Sequence, residues 1–120
     1  MAEQEEKFTQ EKRRAPRVSG ALVEYTFEKK DAPTKTAFIK DICIYGICIF
    51  VPETVELGAI MCLDIFLFGD YAPIKTKGKV LWQKQGGDLG YYNVGIEFTN
   101  INPEYAKILS EYIKINTQKS

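Results

Sequence analysis

Two short stretches of the chain combine residue types that bind anions. Arg13-Arg14-Ala15-Pro16-Arg17 sets two arginines in an R-x-x-x-R spacing, with Lys12 and Arg14 beside them. A guanidinium offers planar, forked donors that match oxyanion geometry, and its plane can stack on a flat ring. Further along, Asp41-Ile42-Cys43-Ile44-Tyr45-Gly46 gathers a carboxylate, a thiol and a turn glycine. Gly46 permits positive φ, or close approach of a backbone or a ligand. Alone, the basic run reads as a solvated segment, and Asp41 as a turn residue bonding its own backbone. Together they suit a small anionic ligand.

The bulk composition narrows the classes around that reading. The chain has 120 residues, so one domain is expected, and 45% of them are apolar, enough for an ordinary core. Sixteen Lys and Arg balance sixteen Asp and Glu. That balance opposes a protein that coats a nucleic-acid polymer, which carries a domain-wide basic field. It leaves room for a local cation cluster. There is no histidine and no Cys-x-x-Cys pair among Cys43, Cys48 and Cys62, so no zinc site is expected. Nor is there a phosphate-binding glycine loop or a catalytic acid–base pair, and an enzyme is not expected. The three cysteines are expected as small buried residues in a reducing, cytoplasmic setting. The first seven residues are polar and acidic, unlike a signal peptide. No apolar run approaches the ~20 residues that cross a bilayer, so membrane insertion is not expected.

The elements that must position these residues are mostly strands. Residues 1–19 read as an arm, loosely helical before Pro16, which biases Ala15 away from helix. Strand-like text follows at Ala21–Phe27, Thr36–Cys43, Ile47–Val51, Met61–Phe68, Ile74–Lys84 and Tyr92–Phe98. Turn signals separate these runs, at Glu28–Pro33, Leu57-Gly58, Gly69-Asp70 and Gly86-Gly87-Asp88. Lys75, Lys77 and Lys79 alternate with Ile74, Thr76 and Gly78, which gives one wet face. Trp82 is expected in the core. At most one of Tyr91 and Tyr92 should be inside. Asn102 can cap a final helix with Pro103 in its first turn, and Tyr105, Ile108, Leu109, Tyr112 and Ile113 form its apolar stripe. Residues 20–115 are thus expected as a mainly β domain, a closed or nearly closed antiparallel barrel plus a helix, and 116–120 as a polar tail.

These motifs, in this order on a strand-rich chain, resemble the PilZ domain. That family pairs R-x-x-x-R in an N-terminal arm with [D/N]-x-S-x-x-G at a strand turn. Leu57-Gly58 before an apolar strand, Val80-Leu81-Trp82, and Asn93-Val94-Gly95-Ile96-Glu97-Phe98 extend the similarity over roughly residues 12–113. The resemblance implies a six-stranded antiparallel PilZ-like β-barrel with a C-terminal helix and a flexible N-terminal arm. It implies a receptor for cyclic di-GMP, bound as a ligand rather than a cofactor. Arg13 and Arg17 would wrap around the nucleotide, Asp41 would accept from guanine, and Gly46 would complete the turn. Arg14 would add positive potential. Cys43 stands where the family pattern has serine. Exchanging hydroxyl for thiol weakens both donor and acceptor, a loss of about 0.5–1.5 kcal/mol, or roughly two- to twelvefold in affinity.

The implied mechanism is ordering of the arm by the nucleotide, which alters contacts with an unidentified protein partner. The alternative is a PilZ-like adaptor that has lost the nucleotide and works by protein contacts alone. Cys43 is the feature that favours it.

Overall fold

A computed structural model of the chain describes residues 15–86 and 90–117. Six strands follow in order: β1 (Leu22–Phe27), β2 (Lys35–Ile42), β3 (Gly46–Val51), β4 (Ile60–Phe66), β5 (Ile74–Gln85) and β6 (Tyr92–Thr99). One helix, α1 (Pro103–Thr117), ends the described chain. The strands close into an antiparallel barrel in the order β1-β2-β3-β6-β5-β4, with β1 pairing back onto β4. Closure leaves no unpaired sheet edge to template aggregation.

Alternation builds the core. Val23, Tyr25, Ile39, Ile49, Leu63, Ile65, Val80 and Val94 point inward and are buried. Lys75, Lys77 and Lys79 take the wet face of β5, as their spacing predicts. Tyr92 packs against the core and Tyr91 is exposed, also as predicted. The turn glycines Gly58 and Gly69 have φ of 85° and 98°, so their turns use conformations that other residues rarely adopt.

Three expectations need correction. The apolar run Met61–Phe68 outlasts its strand: β4 ends at Phe66, Leu67 turns inward, and Phe68 is exposed before the Gly69 turn. Cys62 is exposed, because its position on β4 faces outward between the buried Met61 and Leu63. Trp82 is 44% exposed and lies on the outside of β5.

Helix α1 starts as its sequence requires. The Asn102 side-chain oxygen accepts the Glu104 N–H at 2.9 Å. Glu104 in the first turn and Lys114 in the last complement the helix dipole. Leu109, Tyr112 and Ile113 are buried and belong to the same apolar cluster as the barrel interior. Tyr112 meets Tyr71 edge to face, with centroids 5.3 Å apart. Its hydroxyl donates to the Ser19 carbonyl. The helix thereby holds the segment ahead of β1, two residues from Arg17.

Candidate functional site

Two irregularities in the barrel create a shallow site on its outer surface. In β2 the pairing register with β3 shifts between Ile39 and Asp41, so Lys40 is an extra residue. In β5 the register with β6 shifts between Val80 and Trp82, so Leu81 is extra. Each bulge reverses the facing of the residues beyond it. Asp41 turns outward opposite Cys48, and Trp82 turns outward opposite Gly95.

Arg17 reaches this face because its segment is pinned. Val18 and Ile42 exchange both backbone hydrogen bonds, at 3.0 and 2.8 Å, and Val18 is buried. Arg17 Nη1 then lies 3.3 Å from Asp41 Oδ1. Their side chains are 40% and 28% exposed. An ion pair this wet is worth less than about 1 kcal/mol, so an anionic ligand can displace it cheaply. Arg13 and Arg14 lie outside the described residues.

The β2–β3 turn supplies the rest. The Cys43 N–H donates to the Gly46 carbonyl at 2.9 Å, closing a hairpin with Ile44 and Tyr45 exposed at its tip. The Tyr45 carbonyl accepts the Phe98 N–H at 2.9 Å, which ties the turn to β6. Gly46 is not a positive-φ residue here. Its requirement is the close approach: a Cβ at Gly46 would sit 2.1 Å from the Ile96 carbonyl oxygen. Gly95 answers a similar need. A Cβ there would fall 2.1 Å from Trp82 Nε1, so the indole lies directly over the glycine.

The result is a pocket of about 60 Å³ whose lining includes Arg17, Cys43, Gly46, Trp82, Gly95 and Glu97. Cys43 and Cys48, both buried, form part of its floor. Burial, and then the nearby Asp41 charge, push the Cys48 thiol up to about 11. Alkylation near neutral pH is therefore expected to modify Cys62 quickly and Cys48 slowly; peptide mass spectrometry after timed quenching reads the order. Rapid loss of Cys48 would contradict this burial.

The pocket is too small to enclose a nucleotide. It can act as a platform, with a cation on one side, an aromatic face on the other and small residues between. The structure thus brings together Arg17, Asp41, Cys43 and Gly46 from the sequence reading. That reading missed Trp82. The signal was present, because Val80, Leu81 and Trp82 are three successive apolar residues in an otherwise alternating strand. Among the described residues there is no cluster of three or more Cys, Asp or Glu suited to a metal. No described helix is long and apolar enough to cross a membrane.

Comparison with known proteins agrees with this fold. The sequence model of the PilZ domain matches residues 11–114, and the chain belongs to the PilZ domain family. Its fold is similar to that of the Bacillus subtilis inhibitor of motility MotI/DgrA, with a TM-score of 0.71 and 14% identity over 89% of this chain and 52% of that one. It is similar to the PilZ domain of Escherichia coli YcgR, solved with c-di-GMP, with a TM-score of 0.62 and 14% identity over 88% and 92%. It is also similar to Borreliella burgdorferi PlzA, solved in complex with c-di-GMP, with a TM-score of 0.60 and 15% identity over 99% and 57%. The chain thus spans about half the length of MotI/DgrA and PlzA. No curated protein sequence is similar enough to count as a match.

Proposed function

We propose that this domain is a cyclic di-GMP receptor of the cytoplasm, binding the nucleotide on the outer face of β2, β3, β6 and β5. The observation that carries the reading is Arg17 held 3.3 Å from Asp41 beside a pocket roofed on one side by Trp82. Family membership and the nucleotide-bound YcgR and PlzA structures support it. Arg17 presents its fork to a phosphodiester or to guanine O6 and N7. Asp41, freed from Arg17, accepts from guanine N1–H and N2–H₂. Trp82 offers a stacking face to a base. Arg13 closes over the ligand from the arm, and Arg14 adds positive potential. Cys43 and Gly46 stay small enough to let the nucleotide approach the floor. Binding orders residues ahead of Pro16 and changes the surface shown to a protein partner.

Trp82 is the chain's single tryptophan, so its fluorescence reports on this site alone. Cyclic di-GMP is expected to change its emission saturably. Base–aromatic stacking is worth about 1–3 kcal/mol, so Trp82→Ala is expected to weaken binding roughly tenfold or more. Unchanged emission at saturating nucleotide would remove Trp82 from the site.

A further inference from the structure

The ligand platform carries a second carboxylate beside that of Asp41. Glu97 lies between Ile96, which is buried, and Phe98, which packs on the core, so its own side chain faces outward from β6. It stands opposite Gly46 of β3 on one side and Lys79 of β5 on the other. It lines the pocket together with Arg17, Cys43, Gly46 and Trp82. The residue is half-buried and its Oε2 is screened from water, so the group is held close to the pocket floor.

Strand register fixes its place relative to Asp41. Asp41 pairs with Cys48, and Cys48 with Gly95, two residues before Glu97. Two strand spacings of ~4.8 Å and one repeat of ~6.8 Å put the two acidic positions roughly 12 Å apart. No side chain rises from Gly46 or Gly95 between them, and the Trp82 indole lies over Gly95. Two acceptors thus flank one small floor and one aromatic face.

A carboxylate in a site for a dianion repels the phosphates. It favours the ligand only where another part of that ligand presents donors. Guanine does so, because N1–H and the N2 amino group point the same way from one edge. Adenine places the N1 lone pair beside its amino group, and that lone pair would face the carboxylate. A site built around hydrogen bonds strongly rejects an analogue that lacks them.

We propose that Glu97 is a second guanine reader, so that Asp41 takes one base of the nucleotide and Glu97 takes the other. The proposal rests on the cyclic di-GMP reading and sharpens it. One nucleotide spans β2 to β6, and both of its bases are selected as guanine.

Calorimetric titration of the full chain with three ligands tests it. They are cyclic di-GMP, cyclic di-AMP, and the mixed cyclic dinucleotide with one guanine and one adenine on the same linkages. In the wild type, each guanine exchanged for adenine should weaken binding roughly tenfold or more. Glu97→Gln should weaken cyclic di-GMP to about the affinity of the mixed ligand. It should barely alter the mixed ligand, whose one guanine turns to Asp41. Asp41→Asn should do the same from the other side. Equal wild-type affinity for cyclic di-GMP and the mixed ligand would overturn the proposal, with no variant needed. So would unchanged or tighter cyclic di-GMP binding in Glu97→Gln, because the carboxylate would then only repel phosphate. In both cases the cyclic di-GMP reading would stand. A wild type that binds none of the three would overturn that reading, and this inference with it.

Discussion

Arg17→Ala is expected to weaken cyclic di-GMP binding by roughly 100-fold, about 2.7 kcal/mol. Fold stability should change by less than about 1 kcal/mol. The two effects differ because the arginine has two roles of unequal size. In the free protein it pairs with Asp41 in a wet setting at 3.3 Å, which contributes little. In the complex it would make charge-assisted, forked contacts shielded by the ligand itself. Arg17→Lys keeps the charge and loses the fork, so it should fall between the wild type and Arg17→Ala. Arg13→Ala should resemble Arg17→Ala, and Lys12→Ala should cost much less. Calorimetry gives the affinities and urea unfolding gives the stability. Equal small losses at Lys12, Arg13 and Arg17 would mean only diffuse charge attraction.

Gly46→Ala should be the most damaging single change in the turn. The added carbon would lie 2.1 Å from the Ile96 oxygen and 3.1 Å from its carbonyl carbon, and both are backbone atoms in the middle of β6. No side chain can rotate away to make room. The β3–β6 pairing must shift, at a cost of about 3 kcal/mol or more, which lowers Tm by roughly 10 °C or more. Gly58→Ala is the control. Gly58 has φ of 85° but nothing within 4 Å of the added carbon, so only conformational strain of about 1 kcal/mol is expected. Thermal unfolding of both variants compares the two costs. Equal melting temperatures would show that β6 does not press on Gly46 as described. Lost binding in Gly46→Ala therefore reflects a displaced turn, and says little about contact with the ligand.

Local rules made much of this protein legible. The cap at Asn102 and the stripe at Leu109, Tyr112 and Ile113 lie close together in the chain, so spacing alone located the helix. Strand alternation likewise located the wet lysines of β5. What failed was parity across bulges. Counting by twos from Ile74 through Val80 puts Trp82 inside; the extra residue at Leu81 puts it outside. The same device at Lys40 turns Asp41 out while Ile42 stays buried. A bulge is a relation between two strands, so one strand's sequence shows it only as a break in rhythm. Gly95 explains why the outward Trp82 fits, and it lies thirteen residues further along the chain. Gly46 is legible in the sequence as a turn glycine, but the physical reason for it is non-local as well. The neighbour that demands a glycine there is Ile96, on a strand that follows fifty residues later.

The most direct measurement is calorimetric titration of the full chain with cyclic di-GMP, beside GTP as a control. The account predicts saturable heat with cyclic di-GMP at micromolar concentrations, none with GTP under the same conditions, and loss of the signal in Arg17→Ala. No heat and no thermal stabilisation with cyclic di-GMP at roughly 100 μM would contradict it.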